Sequence, residues 1–243
     1  MTADSDSGRE AERRAVVCVL PFVNMSGDAE QEYFSDGISE DIITDLSKVS
    51  ALTIIGRNTA FALKGKPVNL AELSRDPGAT HVLEGSVRKA GTRVRINAQL
   101  TDCASGHQVW ADRYDRDLND IFAIQDEISK AIVGALKLKL LPQEKKAIER
   151  RGTTSSDAYN LYLLARRHWI DGNNIDERRA AVVVRVCRQA IAIDPDYAQA
   201  WALMALAQTD LRFWHAKPED GREAAERALA IDPHVAEAHC VKA

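Results

Sequence analysis

A chain of 243 residues, 45% apolar and 28% charged, can bury a core and stay soluble, and its length favours two modules over one. Its 32 basic and 36 acidic side chains leave a net charge of −4 with neither half basic, which argues against a nucleic-acid or anionic-membrane binder. No apolar run reaches membrane-spanning length, and the leader MTADSDSGREAERR is too polar for a signal peptide. Cys18, Cys103, Cys187 and Cys240 are far apart with no C-x-x-C, so they read as small buried hydrophobes in a reducing compartment. That points to the cytoplasm, or to the periplasm if an upstream membrane span has been removed.

Residues 1–14 read as a disordered leader. Ala15 to Leu20, closed by Pro21, has the β-branched content of a strand buried on both faces. Asn24, Ser26, Gly27 and Asp28 make a turn, with Asp28 expected as a helix cap and Gln31 as its capping-box partner. Phe34, Ile38, Ile42 and Leu46 recur every four residues and mark one helix face. Leu52 to Gly56 is a second strand, parallel to the first by a right-handed crossover. Arg57 to Pro67 reads as a loop. Its Gly65-Lys66 is no phosphate loop, because Pro67 stands where Ser or Thr is needed. Asn69 caps a short helix over Leu70 to Arg75 that Pro77-Gly78 ends.

Three strands joined by short turns follow, over Thr80–Arg88, around Val94–Leu100 and over His107–Tyr114, which predicts an antiparallel meander. In the middle one Val94, Ile96, Ala98 and Leu100 alternate with Arg93, Arg95, Asn97 and Gln99, one dry face and one wet. If Trp110 shares the wet face, it and the two arginines could bind an anion, a peptide or the second module; otherwise this is a solvated sheet face with Trp110 sealing a contact. From Asp117 a helix carries Ile121, Ile124, Ile128, Ile132 and Leu136 to a stop before Pro142. Residues 143–156 read as a charged, then Gly/Thr/Ser-rich, linker.

This first module, residues 15–142, resembles the TolB-amino-terminal-like domain of bacterial tetratricopeptide proteins. The resemblance rests on VLPF (19–22), N-x-SGD (24–28), EQEYFSDG (30–37), SED (39–41), LEGSVRKAG (83–91) and WADRYD (110–115). It implies an α/β (α+β) mixed-sheet domain with helices mainly on one face.

Residues 157–243 repeat themselves. Ala190–Pro195 and Ala228–Pro233 share A-[IL]-A-I-D-P, 38 residues apart, and resemble the tetratricopeptide repeat, whose period is about 34. In that frame Trp201 takes the bulky position, Ala205 and Ala228 the small ones, and Pro195 and Pro233 the closing prolines. An earlier repeat places Leu161, Ala165 and Ala190 correspondingly, with an insertion near Gly172-Asn-Asn174. Four extra residues are expected around Trp214 to Pro218, and the second helix of that repeat over Pro218 to Ile231. Trp169, Trp201 and Trp214 read as repeat packing. The pattern predicts an all-α helical-hairpin array, truncated in its third repeat, with a groove for a protein partner and an apolar carboxyl end able to self-associate.

No H-E-x-x-H or G-x-S-x-G occurs, and His81 and Glu84 would point to opposite faces of a strand. Glu40 and Asp41, in the first helix, read as solvated charges. No catalytic, metal or cofactor residue is assigned. The resemblance implies a non-enzymatic binding and sensory module, the alternatives being the regulatory portion of a class III adenylate cyclase and the sensory portion of a CadC-type winged-helix regulator.

Overall fold

The computed structural model describes residues 14–170 and 176–242. The expected leader, apart from Arg14, and the expected insertion near Gly172 lie outside the described residues.

Strand β1 (Ala15–Val19) pairs in parallel with β3 (Leu52–Ile54) on one side and β4 (His81–Ala90) on the other. A two-residue strand that periodicity had not marked, β2 (Val23–Asn24), also runs parallel to β4. Strands β5 (Arg93–Asp102) and β6 (Gln108–Asp117) complete the meander, giving the order β3-β1-β4-β5-β6.

Alternation along β1 sorts two cores. Val17 and Val19 face a layer formed by α1 (Glu32–Ser47) and α4 (Ile121–Ala135). Phe34, Ile38, Ile42, Leu46, Ile121, Ile124, Ile128 and Ile132 are buried there, so both helical stripes face the sheet; Leu136 packs only partly. Cys18, Leu20 and Val82 face the other way, into a smaller core closed around Ala60 and Leu73. These come from α2 (Arg57–Phe61), in the stretch expected as a loop, and α3 (Leu70–Arg75), capped by Asn69. Helices therefore cover both faces near β1 and leave the outer face of β5 and β6 open. Asp28 caps a single 3-10 turn, Ala29–Gln31, by accepting from the Glu30 amide. Gln31 supplies no capping box, because α1 begins one residue beyond it.

The expected linker is structured. Its charged half is a helix, α5 (Pro142–Glu149), which seats Ile148 in the main core. After it come α6 (Ser156–Ile170), α7 (Glu177–Ile193), α8 (Ala198–His215), α9 (Arg222–Ile231) and α10 (Ala236–Lys242), each packed on its neighbours. Helix α9 starts at Arg222 rather than Pro218. Gly221, at φ +77°, turns the chain there, and a side chain at that position would collide with the Ala205 carbonyl. Val235 and Ala238 are buried against the array and Val241 packs on it partly, so most of the apolar side expected to drive association at the carboxyl end is covered. Cys18, Cys103 and Cys187 are buried, whereas Cys240 is exposed.

Candidate functional site

The flank of α1 beside its apolar stripe carries Tyr33, Gly37, Glu40, Asp41 and Asp45, and α6 lies along it. Gly37 permits the approach, since a side chain there would start 2.5 Å from Leu163. The Tyr33 hydroxyl donates to Asn160 at 3.1 Å, and Lys89 reaches the same oxygen at 3.0 Å. Glu40 is buried and Asp41 half-buried, where the sequence reading had both as solvated charges. An amphipathic pattern locates the stripe facing the sheet, but it carries no sign that a second module covers the adjacent flank.

Glu40 is buried between two arginines, Arg57 of α2 at 2.5 Å and Arg166 of α6. Asp41 Oδ2 accepts from the Gln125 amide at 2.9 Å and from the Tyr159 hydroxyl. Burial raises the Asp41 carboxyl to about 6 against the lowering pull of the Tyr159 bond, and burial also drives the Tyr159 phenol well above its ordinary value. Asp45 binds Lys48 at 2.9 Å and Arg151 at 3.0 Å, and Arg151 also pairs with Asp126. Burial works against the Arg151 cation, but the carboxylates of Asp45 and Asp126 outweigh it and hold its proton more firmly. Glu40, Asp41, Asp45, Arg151, Tyr159 and Arg166 line a cleft of about 230 Å³ together with Tyr162, Tyr197, Gln199 and Glu237 of the array. The rings of Tyr162 and Tyr197 stand 5.1 Å apart. The arrangement fastens α6 to α1 by opposed charges and places the raised carboxyl of Asp41 at the seam.

That carboxyl makes a testable contribution. In an unfolded chain it titrates near 3.9, roughly two units lower, so the fold binds the extra proton between about pH 4 and 6. Stability from this group therefore rises as pH falls through about 6 and levels off below about 4. Asp41→Asn, whose Oδ1 can accept both bonds, is expected to stabilise the protein by about 2 kcal/mol at pH 7.5. The gain should fall as pH drops below about 6, to about a third of its size at pH 4.5, and approach zero only below about pH 4. Urea unfolding across that range measures it, and a difference independent of pH would refute the assignment.

On the open sheet face Arg93, Arg95, Asn97 and Gln99 are exposed together, as their alternation required. Trp110 is not among them. It pairs with Leu100 and packs on the main core, because cross-strand partners share a face. Asp115 takes its place, holding Arg93 at 2.6 Å and Arg95 at 2.9 Å. Asn97 donates to Ser86 and Gln99 to Glu84. Both guanidinium groups thus share one carboxylate within the sheet.

In the array Ala165, Ala190, Ala205 and Ala228 are fully buried at helix crossings, while Leu161 and Trp201 are half-buried and Pro195 and Pro233 sit exposed at the hairpin joints. The two joints match: the Asp194 amide donates to Ala190 and the Asp232 amide to Ala228. Six residues past each proline, Trp201 Nε1 donates to the Pro195 carbonyl at 2.9 Å and the His239 ring meets the Pro233 carbonyl at 2.8 Å. Trp169 packs partly in the array core, but Trp214 is 51% exposed beside Phe213, so it is no packing residue. Among the described residues no group of three His, Cys, Asp or Glu gathers as metal ligands, and no helix is long and apolar enough to cross a membrane.

No family profile matches the chain. A protein of Rhizobium meliloti (strain 1021) named "Putative adenylate cyclase 3" is 45% identical over 229 residues, 92% of this chain but 38% of its own length. Among solved structures, TolB from Acinetobacter baumannii aligns with 51% of this chain and 28% of its own at 17% identity and a TM-score of 0.40. Lipoprotein GNA1162 from Neisseria meningitidis aligns with 52% of this chain and 99% of its own at 20% identity and a TM-score of 0.37. The chain is thus similar, along nearly its whole length, to little more than a third of a protein named as an adenylate cyclase.

Proposed function

We propose that this chain is a non-catalytic sensory and protein-binding module of a signalling protein, in which a TolB-amino-terminal-like sheet domain is coupled to tetratricopeptide hairpins whose groove takes a protein partner. The observation that carries it is the seam at α1, where Glu40, Asp41 and Asp45 bind groups of α6 and of the segment before it. A shift of the sheet layer is thereby passed to the first helix of the array. The matched joints after α7 and α9 and the buried alanines support the tetratricopeptide reading. The 45% identity to the Rhizobium protein favours a narrower form, the regulatory portion of an adenylate cyclase.

The purified chain is expected to form no cyclic AMP from ATP with Mg²⁺ or Mn²⁺. Joined to a cyclase catalytic domain, it should change that domain's rate. Gly37→Leu, which wedges α1 away from Leu163, should remove the change. Cyclic AMP from the chain alone, or a catalytic rate indifferent to its presence, would overturn the proposal.

A further inference from the structure

The sheet ends in a long open edge. Among the described residues strand β6 pairs only with β5, and Gln108, Val109, Ala111, Asp112 and Arg113 are exposed while Tyr114 is buried. Antiparallel strands bond through alternate residues. The Leu118 amide donates to the Thr92 carbonyl, so the even-numbered residues of β6 face β5 and Ala111, Arg113, Asp115 and Asp117 aim their backbone groups outward. Two side-chain bonds agree: the outward Arg113 amide is taken by its neighbour Asp112, and Arg93 reaches the outward Asp115 carbonyl. Such an edge is a template for another strand unless its charges forbid one.

On β6 the charges select a partner. The sequence A-D-R-Y-D-R-D over residues 111–117 is charge-complementary to itself when run antiparallel about Tyr114. Outward residues must meet outward residues, so the pairing can shift only in steps that preserve this parity. An axis at Arg113 sets that arginine against itself, and an axis at Asp115 sets two carboxylates together. The axis at Tyr114 alone among these places Asp112 opposite the partner's Arg116 and Arg113 opposite the partner's Asp115. Asp112 and Arg113 form no ion pair among the described residues, whereas Arg116 is already held by Glu127 and Asp115 by Arg93 and Arg95. Each unpaired charge would thus join an existing pair on the other copy, one network on each face of the sheet.

We propose that β6 binds a second copy of this chain, edge to edge about a two-fold axis at Tyr114, joining the two sheets into one. The occupant is a copy of this chain because the complementarity lies within a single strand and requires its own reverse. This surface is distinct from the carboxyl end.

Sedimentation over a roughly hundredfold concentration series should show a monomer–dimer equilibrium that weakens with salt. Hydrogen exchange should slow at Ala111, Arg113 and Asp115 as concentration rises, with α10 unchanged. Arg113→Asp, which places like charges in register twice, should weaken the dimer about ten- to a hundredfold. Arg113→Pro removes an outward donor while sparing the bonds to β5, and should leave a folded monomer. A wild-type chain that stays monomeric throughout would overturn the proposal. So would a dimer that protects α10 rather than the β6 edge, or one that survives Arg113→Pro.

Discussion

Ile128→Ala is expected to lower the unfolding free energy by about 2–5 kcal/mol. Ile128 is fully inaccessible and lies in the stripe by which α4 faces the sheet, in one core with Ile38, Ile96 and Leu100. Three methyl or methylene groups leave, and the neighbours cannot close the gap. The helix is held on one side by the β5 and β6 strands and on the other by α1 and α5, with Tyr159 of α6 against Phe122 and Gln125, so the cavity keeps much of its volume. Urea or thermal unfolding measures the loss. A change below about 0.5 kcal/mol, the size of an ordinary surface substitution, would mean that α4 presents another face to the sheet.

Arg151→Met is expected to cost about 3 kcal/mol, at the low end for breaking a buried pair because Lys48 remains beside Asp45. The Arg151 side chain is 15% exposed and bridges Asp45, which is 2% exposed, to Asp126. Methionine fills the space but removes the cation from Asp126 and leaves the buried Asp45 with Lys48 alone. Carrying Asp45→Asn and Asp126→Asn in addition should recover part of the loss, since the charges that Arg151 offsets are then gone. The residues around it are stitched as well: Thr153 bonds Asp194 of the array, and Ser156 bonds Asn119 at 2.7 Å. The wild-type protein should therefore unfold in a single transition followed equally by probes in both halves. Two separated transitions, or a negligible cost for Arg151→Met, would restore the picture of a free linker between independent modules.

Much of the fold is legible in the sequence, because periodicity is a local property. Val94, Ile96, Ala98 and Leu100 point one way in any extended chain, and the isoleucines of α4 share a face in any helix, whatever they meet. Asn69 caps α3 through the amides of its own first turn, and the repeated alanine and proline positions mark the hairpin joints of the array. Tertiary structure decided the rest. The parity of Trp110 within its strand was readable, but its face depended on its register against β5, which pairs it with Leu100 and slips by a bulge beside it. Glu40, Asp41 and Asp45 stand on a helix flank that any local rule makes solvent-facing. Glu40 is buried and Asp41 half-buried because α6, more than a hundred residues away in sequence, lies across them with Arg166 and Tyr159, and Asp45 is closed off with Arg151 just before that helix. Arg151 sits in a stretch of linker composition, and only the placement of two distant carboxylates makes it the peg that holds this stretch to the sheet domain. Local chemistry determined the elements and their dry faces. Long-range packing determined which charged faces were closed, and with that the site.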